Sequence, residues 1–588
     1  MRSPVERSQA ISLLLASGLC ILPFLMPYHD LPIKAFHAEW LAAGLGIVAV
    51  LAALAARSTP LVPWPVAARW LIAFALFLVC LAALGGPAYP QLPVVATLYV
   101  VYAALMIWLG SQLTSAFGIE RVAAAFALVL LVGALLTALF GLIQFYGRPR
   151  PLEDVVAELY GTRAYGNIGQ ANLYANYLAL GEGALVYLWA RERVRTPPML
   201  AALMLLLWGS ALAGSRSALL YTLWFAVLAA LTGRTGAESR RLKALVYGIA
   251  AATLAADLAV SWLNSAFHLG PPGAGALERT LVDETMEPRP LAWLLALRIF
   301  ASAPVTGVGI GEFAGAAFDS GLDPLLAQRS ELWTSPHNFV LHLLAETGAV
   351  GAVLVLGGVV AWGFQAARGF HRSRSVVWWW IVATVGVEII HSMIEFPLWY
   401  AHYLGVTALL MGASTTPNPH SPAMARPARI AAGAACAALA FASILLLRDY
   451  LRLDAARVTG ATVTLARTAD AQRDAAIMRD LTHGLVAPLA EFWLVTGASL
   501  DRSDLATKLA MSGRVARFWP SYEVLARYAV FLALSGEARR AQDLLEKSLR
   551  TFPRRRDLTI AIVRRAQAGD PDAINPLLRA AESAPIRD

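Results

Sequence analysis

The sequence predicts an all-α, polytopic membrane protein of about thirteen transmembrane helices, with a large extramembrane loop and a separate helical domain after the last span. Three observations carry this expectation. The 588-residue chain is 58% hydrophobic and only 15% charged, too apolar for an ordinary soluble protein. From Ser8 onward its apolar residues fall in runs of roughly 17–25, the length that crosses a hydrocarbon core of about 30 Å as a helix. After Tyr450 the composition changes abruptly, and charged residues recur every few positions.

Along the chain the expected spans are 8–28, 39–56, 68–86, 93–112, 121–145, 171–190, 198–214, 217–232, 244–263, 339–364, 376–392, 396–414 and 428–447. The first is too long, and followed by too many others, to read as a cleaved signal peptide, so it is expected to stay as an anchor. Cys20, Cys80 and Cys436 all fall in apolar spans, where cysteine acts as a small hydrophobe, and no disulfide framework is expected.

Between spans nine and ten, residues 264–338 combine the Pro- and Gly-rich HLGPPGAGAL with LAWLLALRIFASAPVTGVG. The latter is expected to form a short amphipathic helix against the membrane surface. Loops this long are usually functional or disordered. In the tail, LARYAVFLALSGEARRAQDLLEKSLRTFP has the Ala, Leu and Gly placement, closed by a Pro, of one tetratricopeptide-like helical hairpin. The expected domains are thus 1–447, in the membrane, and 448–588, a helical domain outside it.

Basic residues in short loops mark the cytoplasmic side. One side of the expected topology holds seventeen, among them Arg2, Arg57, Arg191, Arg234, Arg368, Arg372 and Arg374. The other holds five: Lys34, Arg148, Arg150, Arg163 and Arg216. The bias puts the N-terminus in the cytoplasm, and thirteen crossings put both the 264–338 loop and the tail on the outer face. Part of the +9 net charge is therefore topological, and no nucleic-acid partner is expected.

An ionisable group inside a span costs a few kcal/mol, so each one suggests a protein-lined interior and a functional hypothesis. Such groups cluster toward the outer ends of spans. Asn167, Gln170, Asn172 and Asn176 surround the start of span six, and Arg216 occupies the tight GSRSALL turn between spans seven and eight. His337, Asn338, His342 and Glu346 open span ten, and Glu388, His391 and Glu395 run through the end of span eleven. Asn338, His342 and Glu346 step by four, and Glu388, His391 and Glu395 by three then four, so each set forms a stripe on a helix. Taken singly, His342, Glu346 and Glu388 serve equally well as groups that hydrogen-bond helices together.

Arg216 stands on the side that otherwise avoids positive charge, flanked by Gly214, Ser215 and Ser217. Its planar fork of donors suits phosphate oxygens, which points to an anionic ligand. Arg163, before YGNIGQAN, and Arg289, in MEPRPLAW, are further outer-face arginines, though a loop arginine can also be solvated or reach to headgroups. His337 follows Ser335 and Pro336 at a helix start, a common place for a capping residue. An imidazole also titrates near neutrality and can take a proton from a hydroxyl. The residues alone leave both readings open.

No Walker-type loop, zinc spacing, Gly-x-Ser-x-Gly elbow or convincing dinucleotide fingerprint is present. GVGIGEF at 307–313 is Gly-rich but lies on the expected outer face, where nucleotides are scarce. No metal or cofactor is expected, and a group transfer here would use a donor already activated on a lipid. Proton-relay chemistry in a transporter would call for internal repeats and polar groups near the midplane; the polar groups here lie toward one face.

The combination RAYGNIGQANLYANYLALG (163–181), GSRSALL (214–220), RPLAWLLALRIFASAPVTGVGIGEF (289–313), SPHNFVLHLLAETGAVG (335–351) and EFPLWYAHYLG (395–405) resembles the O-antigen ligase superfamily. Within it the chain looks most like the bacterial O-linked protein oligosaccharyltransferases of the PglL type, a likeness extended by LPFLMPYHDLPIKAFHAEWLA (22–42). The resemblance implies an inner-membrane enzyme that transfers a glycan whole from an undecaprenyl-diphosphate carrier. The acceptor would be a Ser or Thr hydroxyl of a periplasmic or pilin-like protein, with neither nucleotide sugar nor metal. It implies that Arg216 and Arg289 bind the diphosphate and that His337 activates the acceptor hydroxyl. Arg163, Gln170, Asn172, Asn338 and Glu395 would border the donor. The same core motifs serve lipopolysaccharide ligation and O-antigen polymerisation, so they leave the acceptor open.

Overall fold

The structure, a computed structural model, describes residues 4–583 apart from 30, 57–59, 86, 148, 234–235, 270–288, 322–331, 416–421 and 463–468. Most of the HLGPPGAGAL stretch, and Arg2, Arg57, Arg148 and Arg234 of the charge count, lie outside the described residues.

Each expected span coincides with a helix. In order these are α1 (Pro4–Leu19), α2 (Phe36–Leu54), α3 (Val66–Ala83), α4 (Gln91–Phe117), α5 (Ile119–Tyr146), α6 (Ala171–Ala190), α7 (Thr196–Ala213), α8 (Ser217–Leu231) and α9 (Ala237–Phe267). After α10 (Arg289–Ser302) and α11 (Phe313–Asp319) come α12 (Phe339–Ser373), α13 (Val376–Ser392), α14 (Ala401–Ala413) and α15 (Arg426–Thr462). The tail adds α16 (Ala469–Leu481), α17 (Ala487–Gly497), α18 (Leu505–Phe518), α19 (Tyr522–Leu534), α20 (Ala538–Thr551), α21 (Arg556–Gln567) and α22 (Pro571–Ser583).

Among the described residues, nine helices are long and apolar enough to cross a membrane: α1 with the turn after it, α2 to α5, α7, α9, α12 and α15. The chain is a multi-pass membrane protein. The other four expected spans, α6, α8, α13 and α14, fall short for a physical reason. At 1.5 Å per residue, the 13 to 17 residues of α8, α13 and α14 reach only about 20–26 Å, and α6 carries Asn172, Asn176 and Glu182. Almost every residue of α6, α13 and α14 is buried, so these helices face protein, and lipid sets neither their length nor their composition.

The chain forms two compact units that do not follow sequence order. One comprises residues 1–73, 99–286 and 355–443, and the other 74–98, 287–354 and 444–588. In the first, α6 is the central element, packed against α5, α7, α8, α9 and α13. Its core is rich in large aromatics, some of which bond through their polar ends to backbone carbonyls. Tyr177 donates to Cys20 O at 2.8 Å and Tyr403 to Leu173 O at 2.7 Å.

In the second unit, α10 forms where the amphipathic helix was expected. Its stripe of Ala292, Leu295, Ala296 and Ile299 is buried, packing on Phe313, Ala317 and Ala345, so the stripe is covered by protein. The expected tail hairpin is α19 and α20, turning at Ser535 and Gly536, where φ is 93°. Ser521 caps α19 by accepting from Val524 N. Val530, Phe531, Leu545, Leu549, Val563 and Leu577 form the core that these helices share with α21 and α22.

One helix is not what its apolar periodicity predicts. α12 is broken at Gly348, where φ is 63° and ψ is −168°. A continuous helix would bond Ala349 N to Ala345 O and Val350 N to Glu346 O. Instead Ala349 N donates to Pro304 O at 2.8 Å and Val350 N to Val305 O at 3.3 Å. The two vacated carbonyls accept from the same loop, Ala345 O from Val308 N at 3.0 Å and Glu346 O from Gly309 N at 3.1 Å. These four backbone groups are thus paired again, as an irregular helix at membrane depth requires.

Candidate active site

Two groups of polar residues correspond to the expected site residues, one in each unit. In the first unit, α7 ends at Gly214, whose left-handed backbone (φ 52°, ψ 38°) closes the helix. α8 begins at Ser217, so the connection is only Gly214, Ser215 and Arg216. Ser215 and Ser217 are buried and Arg216 is exposed. The turn is held from beneath by Asn172. Its Oδ1 accepts from Ser215 Oγ at 3.1 Å and from Arg163 Nη2 at 2.8 Å, and its Nδ2 donates to Glu395 Oε1 at 2.8 Å. Arg163 Nε also donates to Ala213 O at 2.6 Å, and Ser215 and Ser217 share a hydroxyl bond at 2.7 Å.

Arg163, Asn172 and Glu395 are therefore brought together, and they clamp the backbone that presents Arg216. Gln170 takes the N-cap position of α6 in extended backbone, and its buried Oε1 has no hydrogen-bond partner among the described residues. Below this network lies a buried layer: the Tyr221 hydroxyl bonds His391 Nδ1, and Asn176 faces Glu388.

In the second unit, His337 sits in left-handed backbone, with φ 49°, a conformation that costs a non-glycine residue of order 1–3 kcal/mol and tends to mark functional positions. Its N–H donates to Ser335 Oγ at 3.2 Å, and its ring meets Trp333 edge to face at 5.6 Å. Asn338 is the N-cap of α12: its Oδ1 accepts from Leu341 N at 3.1 Å and its carbonyl from His342 N at 2.9 Å. Glu346 is buried, and its Oε1 accepts from Gly311 N at 3.0 Å and Phe313 N at 3.3 Å, with His342 Nε2 at 3.1 Å. The stripe read from the sequence thus fastens the GVGIGEF loop to α12. Arg289 is the first residue of α10.

That loop is fastened on its other side by Glu312. This buried carboxylate accepts from Ala88 N and pairs with Arg517 of α18. Glu491 makes a parallel bridge, accepting from Tyr89 Oη at 2.6 Å and Arg514 Nε at 3.0 Å. Burial, reinforced by Glu491, pushes the Tyr89 hydroxyl well above its ordinary range, and the bond to Glu491 raises Arg514. Sequence reading missed Glu312, Tyr221 and Glu491: a lone carboxylate in a loop or tail, or a tyrosine in an apolar helix, has no spacing to reveal its partner. Among the described residues, no three His, Cys, Asp or Glu side chains gather as a metal site requires.

Residues 201–356, which include Arg216, Arg289 and His337, match a family model described as O-antigen ligase. Residues 379–567 match a second, described as virulence factor membrane-bound polymerase, C-terminal. Both matched segments are thus similar to the O-antigen ligase superfamily. The ligase match ends just after the break in α12, and the second begins within α13 and runs through α21. The chain is also similar to a general O-oligosaccharyltransferase of Acinetobacter baylyi, with 24% identity over 437 residues covering 71% of this chain and 72% of that protein.

Proposed function

We propose that the chain is a glycosyltransferase that moves a preassembled glycan from an undecaprenyl-diphosphate carrier to Ser or Thr hydroxyls of periplasmic or pilin-like proteins. It acts without a metal, in the bacterial inner membrane, with the candidate site and tail helices facing the periplasm. The observation that carries the reading is the similarity to a general O-oligosaccharyltransferase, which covers 71% of this chain and 72% of that protein. The charge bias between alternate loops supports the orientation.

In the proposed reaction the acceptor oxygen attacks the anomeric carbon of the first sugar. The bond from that carbon to the diphosphate breaks, the diphosphate leaves on its polyprenol, and the hydroxyl proton passes to the His337 imidazole. Negative charge grows on the departing diphosphate, and Arg216 and Arg289 bind it there. Arg163, Asn172 and Glu395 act on the turn that carries Arg216, and Asn338 acts on the helix that follows His337. A second reading, ligation to lipopolysaccharide or polymerisation of O-antigen from the same donor, is favoured by the descriptions of the two matching families; only the acceptor differs.

Variants test the chemistry. His337→Ala and Arg216→Ala are each expected to lower transfer at least about a hundredfold while the chain accumulates in the membrane at the wild-type level. Transfer at the wild-type rate by either variant removes that residue from the mechanism.

A further inference from the structure

Within the first unit, α8, α12 and α13 border an open cavity of about 920 Å³, in the size range of small-molecule sites. Trp224, Leu228 and Leu231 of α8 face Trp362 and Phe364 of α12 across it, with Ile389 of α13 below. The polar atoms of this wall are turned away and satisfied: Trp362 Nε1 donates to Ser414 Oγ at 2.8 Å, and Trp224 Nε1 to Ala383 O at 3.2 Å. Trp224 can lie against α13 because residue 386 is glycine; a Cβ there would stand 2.2 Å from the indole nitrogen. The interior offers carbon and little else.

Its mouth is different. Arg368, His371, Arg372 and Arg374, in and just after the last turns of α12, border the same cavity and are exposed. Arg368 and Arg372 also border a second, smaller cavity of about 300 Å³, lined in part by Ser111, Gln365, Ser414 and Thr415 and in part by apolar residues such as Trp64 and Trp378. Basic residues at a helix C-terminus complement its dipole, and the positive-inside bias accounts for their sign. Neither explains why they head a deep apolar cavity on one side and a hydroxyl-lined pocket on the other. A ligand that satisfies all three features is amphipathic and anionic, with a polar group beyond its charge.

We propose that these cavities form a binding site for an anionic glycerophospholipid. Its acyl chains fill the cavity among α8, α12 and α13, its phosphate meets Arg368 and Arg372, and its headgroup enters the smaller pocket. Basic pockets between membrane helices recognise lipid headgroups in this way. The site uses no residue given a role in glycan transfer, so the two proposals stand or fall separately.

The test uses the purified full chain in nanodiscs of phosphatidylcholine alone or with phosphatidylglycerol, read by native mass spectrometry and thermal unfolding. Phosphatidylglycerol is expected to stay bound through detergent release and to raise the Tm by several degrees over phosphatidylcholine. The Arg368→Gln/Arg372→Gln double variant is expected to retain at least about tenfold less of it and to lose the Tm rise. Gly363→Phe removes no charge and meets no atom within 4 Å of its Cβ; it fills the apolar cavity and is expected to have the same effect. Equal retention by the wild type and both variants overturns the site. An equal Tm rise from phosphatidylcholine, from inorganic phosphate alone, or only from undecaprenyl phosphate overturns the assignment of its occupant.

Discussion

Asn172 shows how much one amide can organise. A single oxygen accepts from Arg163 and Ser215 while the nitrogen donates to Glu395, so the residue ties a loop, a turn and the segment that follows α13 to the start of α6. Arg216 touches none of these atoms through the bonds named, yet its backbone is fixed by them. Asn172→Ala is expected to cost about 1–3 kcal/mol of stability, the penalty for leaving buried partners unsatisfied, and to reduce transfer. Asn172→Asp is expected to be worse, because it sets a carboxylate where Glu395 Oε1 accepts a hydrogen bond at 2.8 Å. Thermal unfolding and transfer assays on the pair check this order; an aspartate variant as stable and active as wild type contradicts the network.

At the scale of elements, the decisive feature is the break in α12. Gly348 and Gly307 both have positive φ, at 63° and 72°; Gly348 faces the backbone of Val305 and Thr306, and Gly307 that of Glu346 and Thr347. A Cβ on Gly348 would stand 2.3 Å from the Val305 carbonyl, and one on Gly307 would stand 2.2 Å from the Glu346 carbonyl carbon. Gly348→Ala is therefore expected to destabilise the chain by at least about 3 kcal/mol, the sum of forbidden backbone and lost pairing, with folded yield and Tm as the measure. Wild-type stability would mean that residues 304–309 do not lie against α12. The sequence reading placed a helix at each of the thirteen spans because apolar length and period are local properties. It could not see this break, since glycine in an apolar run reads as permissive in either state. The stripe of His342 and Glu346 was legible from spacing, whereas α13 ends at Ser392 and leaves Glu395 beyond it; nor does spacing name a partner, for His342 and Glu346 meet a loop, and Asn172, in another helix, meets Glu395.

For the whole molecule, sequence order is a poor guide to neighbours. The tail helices share a unit with residues 74–98 and 287–354. Within it Arg517 pairs with Glu312, Lys547 with Asp319 at 3.1 Å, and Tyr89 with Glu491 across 402 positions. Pairings so distant in sequence leave no periodic trace, which is why the tail reads as a separate helical domain. The arginines and the histidine stand out in the sequence as candidates because their chemistry is conspicuous against an apolar chain and because they lie in motifs that resemble a known superfamily. The acceptor does not, since the same motifs serve three kinds of hydroxyl. The most direct measurement is mass spectrometry of periplasmic proteins from a host that makes a lipid-linked glycan but has no transferase of its own, with and without this chain. A glycan mass on Ser or Thr of at least one protein is expected only when the chain is present, and is expected to be lost with His337→Ala. Unmodified proteins alongside glycan on lipid A-core, or on a lengthening polymer, would contradict that expectation.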